Sequence, residues 1–344
     1  MKLAFLFAAF ACACIASPLR TNLLVFNNSV SEQRPIRTTN DWNIRRASIL
    51  HAMQTVMGSF PDETKRVALD VRVEEETDCG HFVRRKISYV SEPGSRVPAY
   101  LLIPKAALNG TNKARAILTL HQTRALGNKV VVGLGGSADD EYGVELAKRG
   151  YVCLAPAYPL LADYQPDWRK LGYASGTMKA IWDNVRGLDL LESLPYTKRG
   201  SFAAIGHSLG GHNSIYTAAF DERIKVIVSS CGFDSYRDYK DGNITGWTSD
   251  RYMPRLKNHS LDALPFDFHE IIGALAPRAV FVNAPIGDTN FKWRSVDAVA
   301  ASAHTIFQLY GATNNLRIEH PNCGHEFPKA MREAAYAVID KELK

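Results

Sequence analysis

From residue 114 to its end the chain alternates short apolar runs with stretches of helical period, and few architectures satisfy that alternation. The runs are "ARAILTLH", "YVCLAP", "SFAAIGHS", "IKVIVSS", "RAVFVNA" and "LRIEHP", with "HFVRRKISYV" and "RVPAYLLIP" ahead of them. The central runs are continuously apolar, as strands buried on both faces of a parallel sheet must be. Between them lie "DDEYGVELAKRG", "ASGTMKAIWDNVRGLDLLESLP", "LGGHNSIYTAAF", "SVDAVAASAHTIFQLYG" and, at the end, "PKAMREAAYAVIDKEL", all with helical spacing. The pattern predicts an α/β fold: one eight-stranded, mostly parallel sheet with an antiparallel start and helices on both faces. Such sheets bind ligands beyond the carboxyl ends of their strands.

The main domain is expected over residues 80–344. Residues 232–277 break the alternation with aromatics and turn formers, and read as a small cap-like insertion over that carboxyl edge. Residues 17–79 read as an N-terminal helical extension, with a helix over 38–57 capped by Asn40 or Asp41.

The opening "MKLAFLFAAFACACIASPLR" has one Lys, an apolar run and then small residues, which is the grammar of a signal peptide over residues 1–16. The apolar run is shorter than the ~20 residues a bilayer span needs, so no stable membrane anchor is expected. Export to an extracellular, oxidising compartment follows. Without the leader four cysteines remain, Cys79, Cys153, Cys231 and Cys323, enough for one or two disulfides. Sequons at Asn27, Asn109, Asn243 and Asn258 are compatible with a secreted glycoprotein. The net charge of +6 is spread through mixed-sign stretches without a Lys/Arg run, so nucleic acid is not an expected partner.

The stretch "SFAAIGHSLGGHN" (201–213) places Ser208 between Gly206 and Gly210 where a strand ends and a helix begins. That is the context of a nucleophile elbow, a sharp turn that lifts a serine hydroxyl to the head of a helix. Side chains at Gly206 and Gly210 would collide with the neighbouring strand and helix. The other reading is a Gly-rich helix start with Ser208 as its cap.

A serine needs a base, and this arrangement requires the chain order Ser, acid, His. His304 falls within a helix and His320 within the last strand, whereas His325 in "HPNCGHEFP" sits on a loop after that strand. His325 is therefore the candidate base. Asp288, a few residues beyond the seventh strand, is the candidate acid that fixes the imidazole tautomer. Its competitors are Asp297, in the first turn of a helix read as capped by Ser295, and Asp234, just after the sixth strand. The oxyanion hole would use the Leu209 N–H and a second N–H from Gln122 or Thr123. His207 and His212 flank the elbow without thiolate or carboxylate partners at metal spacing, so they read as packing or hydrogen-bonding residues, and neither a metal nor a cofactor is expected.

With these pieces in place, the chain resembles the α/β-hydrolase superfamily, in its dienelactone-hydrolase-like and acetyl-xylan-esterase-like branch. The matching segments are "VPAYLLIP", "ILTLHQT", "LAKRGYVCLAPAYP", "AIGHSLGGHN", "FDERIKVIVSSCGFDS", "APRAVFVNAP" and "CGHEFP". The resemblance implies a serine esterase with Ser208, Asp288 and His325 as its triad, acting on a small-molecule or carbohydrate ester, acetyl esters among them. Dienelactone hydrolases proper use a cysteine where this chain has Ser208, which favours ester cleavage over lactone opening. Two alternatives remain. A serine peptidase of the prolyl-oligopeptidase type shares the elbow and triad order, and a non-catalytic binding protein shares the fold. The aromatics of the cap, Trp247 and Tyr252 foremost, are candidates either for substrate contact or for the cap's own core.

Overall fold

The structure, a computed structural model, describes residues 20–27, 33–110 and 113–343. The expected leader lies outside the described residues. A short hairpin, β1 (Val25–Asn27) and β2 (Gln33–Pro35), precedes a nine-stranded sheet. Its strands are β3 (Arg72–Asp78), β4 (Phe82–Glu92), β5 (Ser95–Pro104), β6 (Ala114–Leu120), β7 (Val152–Pro156), β8 (Thr197–His207), β9 (Ile224–Ser230), β10 (Ala279–Asn283) and β11 (Leu316–Glu319). Across the sheet they run β11-β10-β9-β8-β6-β7-β5-β4-β3. Strands β6 to β11 pair in parallel, and β3, β4 and β5 join them as an antiparallel meander.

The helices are α1 (Thr39–Met57), α2 (Lys105–Asn109), α3 (Tyr142–Lys148), α4 (Gly176–Ser193), α5 (Leu209–Phe220), α6 (Phe268–Gly273), α7 (Trp293–Leu309) and α8 (Lys329–Glu342). Alternation along each central strand divides the core into two layers. On β8, Phe202 and Ala204 join the cluster under α1, α4, α5 and α7, while Ala203 and Ile205 join the cluster under α3 and α8. Both sets are fully buried, which is why these strands carry no polar alternation in the sequence.

The ninth strand is β3, inside the segment expected to be a helical extension. Its residues "RVEEETD" are almost all exposed, and it is an edge strand held by cross-strand pairs such as Arg85–Glu76 at 2.6 Å and Lys86–Glu74 at 3.0 Å. An edge strand facing solvent needs no apolar period, so it left no strand signal. The helical part of the extension is α1. Its cap is Thr38 rather than Asn40 or Asp41: the Thr38 side chain accepts from the Asp41 N–H, and Asp41 accepts in return from the Thr38 N–H. Trp42, Ile49, Met53 and Val56 line its buried face, each aliphatic side chain contributing about 1.5–3 kcal/mol by leaving water.

Residues 232–277 form a run of short 3₁₀ turns and α6, and pack against α5, Trp247 on His212 and Phe268 on Tyr216. This cap is tied to the start of α4, where the Gly176 and Thr177 N–H groups donate to the Asp250 and Tyr252 carbonyls. Cys79, Cys153, Cys231 and Cys323 are all free thiols, so neither expected disulfide forms. Asn109, Asn243 and Asn258 of the sequons are exposed. No helix among the described residues is long and apolar enough to cross a membrane.

Candidate active site

Five neighbouring parallel strands deliver their carboxyl-end loops to one place. β8 ends at His207 and turns into α5 through Ser208, whose φ of 53° and ψ of −118° lie where a side chain is strained. The glycines on either side permit the turn. A Cβ on Gly206 would stand 2.2 Å from the Gly210 carbonyl carbon, and one on Gly210 would stand 1.9 Å from the Leu120 oxygen of β6. Ser208 makes no side-chain cap for α5, so the simple-cap reading of the opening motif does not hold.

The Ser208 hydroxyl donates to His325 Nε2 at 2.9 Å, and His325 Nδ1–H donates to the Asp288 carboxylate at 2.9 and 3.0 Å. These three residues, far apart in the chain, thus form one continuous line of hydrogen bonds. Asp288 sits on the loop after β10, where its Oδ1 also accepts the Asn290 N–H at 2.7 Å and the Phe291 N–H at 3.2 Å. Burial favours the protonated carboxyl, but the His325 bond and charge and the two backbone donors outweigh it and hold Asp288 below the usual carboxylate range. The acid loop and the base loop are also joined directly, Gly287 N–H donating to Cys323 O at 3.0 Å. A Cβ at Gly287 would meet that oxygen at 2.7 Å, so glycine sets the approach of the two loops.

The competing acids have other partners. Asp297 lies in α7 and pairs with His320 Nε2 at 2.8 Å. Its helix starts at Trp293, before Ser295, so Ser295 is no cap and instead hydrogen-bonds the Ser235 N–H and hydroxyl from inside the helix. Asp234 is 1% exposed; its Oδ2 accepts the Lys292 N–H at 3.0 Å, while its Oδ1 has no partner. Burial pushes its carboxyl up to about 7. Asp234 therefore secures the far end of the Asp288 loop without reaching His325.

Backbone donors without a backbone acceptor lie at the ends of two neighbouring strands, β8 and β6. Leu209 N–H opens α5 and so has no intrahelical acceptor. Neither the Gln122 nor the Thr123 N–H has an acceptor among the described residues. The loop that carries them is fixed by His121, whose Nδ1–H donates to Gln122 O at 2.9 Å while its Nε2 accepts the Tyr158 N–H at 3.0 Å. Burial keeps that imidazole neutral, its pKa down to about 4. The Gln122 side chain is turned away and donates to Asp140, so this residue can serve the site only through its backbone.

A polar network behind the triad was not legible in the sequence. Asn283, the last residue of β10, donates to Glu326 O at 2.8 Å and to Ser230 Oγ at 2.8 Å. Ser230 Oγ in turn lies 3.0 Å from His207 Nδ1, and His207 also hydrogen-bonds the His325 backbone. Burial and the neighbouring His325 keep His207 neutral, at about 3. His207 is thus a hydrogen-bonding residue, as the sequence suggests, and it braces the loop that carries the base. Strand-end Asn and Ser residues give no sign of such a partnership, because it depends on which strands are neighbours.

The cap aromatics are mostly core. Trp247 is 4% exposed and its ring lies within 6.2 Å of His212, Tyr236, Tyr239, Tyr252, Phe268 and Phe291. With both faces occupied it presents no platform to solvent. Tyr252 is only partly buried; it packs against the cluster that includes Leu209, and its hydroxyl bonds the Thr123 side chain, joining residues 232–277 to the loop after β6. His212, fully buried against Tyr216, is a packing residue held neutral by burial at about 3.

Comparison with known proteins bears on this arrangement. A family model described as "Glucuronyl esterase, fungi" matches residues 171–311. The chain is 27% identical over 164 residues to a protein named "Putative hydrolase YtaP" from Bacillus subtilis, covering 47% of this chain and 53% of that protein. It is 26% identical over 197 residues to a 4-O-methyl-glucuronoyl methylesterase from Phanerochaete carnosa, covering 49% and 47%. The chain thus spans about half the length of each of these relatives. Among solved structures it is similar to a glucuronoyl esterase from Solibacter usitatus, with a TM-score of 0.74 at 17% identity over 94% of this chain and 98% of that one. It is also similar to acetyl xylan esterase 1 from a Thermoanaerobacterium species, with a TM-score of 0.57 at 16% identity over 86% and 99%. The sheet order, the strained serine turn and these likenesses show that the chain has the α/β-hydrolase fold.

Proposed function

We propose that the chain is a serine hydrolase that cleaves carboxylic esters borne on carbohydrate, through an acyl-enzyme intermediate. The observation that carries this reading is the unbroken line Ser208 Oγ to His325 Nε2 and His325 Nδ1 to Asp288, at 2.9 Å per step, on a strained turn at a helix head. In the first step His325 Nε2 takes the Ser208 proton as Oγ attacks the ester carbonyl, and Asp288 stabilises the imidazolium that results. The carbonyl oxygen gains charge facing the Leu209 N–H at the positive end of α5. The second donor is the Thr123 N–H: His121 holds the Gln122 carbonyl, and in a planar trans peptide that fixes the opposite direction for the Thr123 N–H. His325 then returns the proton to the leaving alcohol, and water hydrolyses the acyl-enzyme by the same steps.

The carbohydrate part of the substrate rests on the printed activities of the relatives. They differ in which side of the ester bears the sugar: a glucuronoyl methylester has it on the acyl side, an acetyl xylan ester on the alcohol side. Export remains part of the proposal, resting on the leader grammar of residues 1–16.

Turnover of p-nitrophenyl acetate, a methyl ester of glucuronic acid and an aminoacyl p-nitroanilide, measured side by side, tests the reading. The expected result is hydrolysis of one or both esters, lost by at least roughly 10³-fold in Ser208→Ala, with the anilide near background. Comparable cleavage of the anilide, or a Ser208→Ala variant as active as the parent, would refute it.

A further inference from the structure

Immediately after β9 the chain passes through Cys231 at φ 48°, a backbone region that residues with a Cβ seldom enter. The turn brings the thiol to the back of the triad. Cys231 Sγ, a carboxylate oxygen of Asp288 and a ring nitrogen of His325 all lie within 4.8 Å of one another. The proposed ester chemistry uses the carboxylate and the imidazole but gives the thiol nothing to do. Besides Asp288, its hydrogen-bonding neighbours among the described residues are the Glu326 carbonyl at 3.4 Å, the Ser230 hydroxyl at 3.8 Å and Asn283 Nδ2 at 3.9 Å.

Thiolate sulfur, imidazole nitrogen and carboxylate oxygen together are the ligand set of a tetrahedral zinc site. Metal–ligand bonds of about 2.0–2.3 Å place ligand atoms roughly 3.3–3.8 Å apart, so the three atoms need to draw together by about 1 Å. A deprotonated Cys231 and the Asp288 carboxylate would supply two negative charges against a divalent ion. His325 and Cys323, which share one short turn, are both partly exposed, so the cluster has an open side with a second thiol at its edge.

We propose that Cys231, Asp288 and His325 form an inhibitory site for a thiophilic divalent cation such as Zn²⁺. Binding would compete with the triad for His325 Nδ1. In the resting site Nδ1 carries the imidazole proton and Nε2 is free to accept from Ser208. With Zn²⁺ on the Nδ1 lone pair, the single ring proton resides on Nε2, which then cannot take the serine proton. The Cys231 thiol releases its proton to solvent as the sulfur–zinc bond forms, one proton for each ion bound. No bond is oxidised or reduced, and a chelator restores the original state. Only the loss of activity rests on the esterase reading; the binding itself does not.

Titration of the full chain with Co²⁺, a coloured stand-in for Zn²⁺, reads the site directly. The expected result is a thiolate-to-cobalt charge-transfer band that saturates at one equivalent with release of about one proton per ion, and that Zn²⁺ displaces without further proton release. Cys231→Ser should abolish the band and raise the zinc concentration for half-inhibition of p-nitrophenyl acetate turnover by on the order of 10–100-fold. Ser208→Ala should keep the band. Absence of the band from the wild-type chain, or an unchanged zinc sensitivity in Cys231→Ser, overturns the proposal. A band in a chain that turns over no ester supports the metal site and sinks the esterase reading alone.

Discussion

Two histidine–aspartate pairs, their histidines five residues apart in the chain, follow the last strands of the sheet, and only one is poised for chemistry. His325 pairs with Asp288 through Nδ1 and turns Nε2 to the Ser208 hydroxyl. His320 pairs with Asp297 through Nε2 at 2.8 Å and turns Nδ1 to the Ala284 carbonyl at 2.7 Å. Both nitrogens of His320 face acceptors, so neither can relieve a hydroxyl of its proton. The acids differ as well: the Asp288 side chain is 1% exposed and that of Asp297 47% exposed. A pair at hydrogen-bonding distance is therefore a common structural part. What distinguishes the candidate site is a third group, a strained serine, held at the free end of the imidazole.

The largest expected effect breaks the symmetry of the two pairs. His325→Ala should lower kcat/KM for an ester by on the order of 10⁴–10⁶, and Asp288→Asn by on the order of 10³–10⁴, because the amide leaves the ring in place but favours the wrong tautomer. His320→Ala and Asp297→Asn should stay within about threefold of the parent. Steady-state kinetics on all four variants, with circular dichroism to confirm folding, checks this. A loss in the His320 pair as large as in the His325 pair would erase the distinction.

A smaller effect concerns Asp234, the candidate acid that has no imidazole. Its carboxyl is raised from 3.8 to about 7 by burial, so the folded state holds its proton more tightly than the unfolded chain does. The stability this confers is fully present below about pH 4 and is lost as pH rises toward 7. At roughly 1.4 kcal/mol per pH unit the window spans a few kcal/mol. Asp234→Asn, which cannot ionise, should therefore gain stability relative to the parent as pH rises from 4 to 7. Urea midpoints across that range give the difference, and a flat difference would show that Asp234 ionises freely in the fold.

Much of this architecture could be read directly from residues. Continuous apolar runs such as "FAAIG" and "AVFV" announce buried parallel strands, and Gly206-x-Ser208-x-Gly210 at a strand end announces the turn, because only glycines tolerate approaches of 1.9 and 2.2 Å. Chain order then points to Ser208 and His325 but leaves Asp288 beside Asp297 and Asp234, and only the hydrogen bonds of the fold separate the three acids. What stayed hidden depends on neighbours brought together by folding. The edge strand β3 has no buried face, and so no period to detect. The bracing of His325 by Asn283, Ser230 and His207 arises from the β8-β9-β10 strand order. Trp247 reads equally well as platform or core until six rings close around it. The cysteines suggested disulfides by their even number alone, whereas the fold leaves each thiol unpaired.

The central claim, that Ser208 is made nucleophilic by His325, is tested most directly by labelling with a fluorophosphonate and locating the adduct by peptide mass spectrometry. The account predicts one phosphonyl group per chain, on Ser208, and no labelling of His325→Ala under the same conditions. A folded wild-type chain that stays unlabelled, or a label on a different residue, would contradict it.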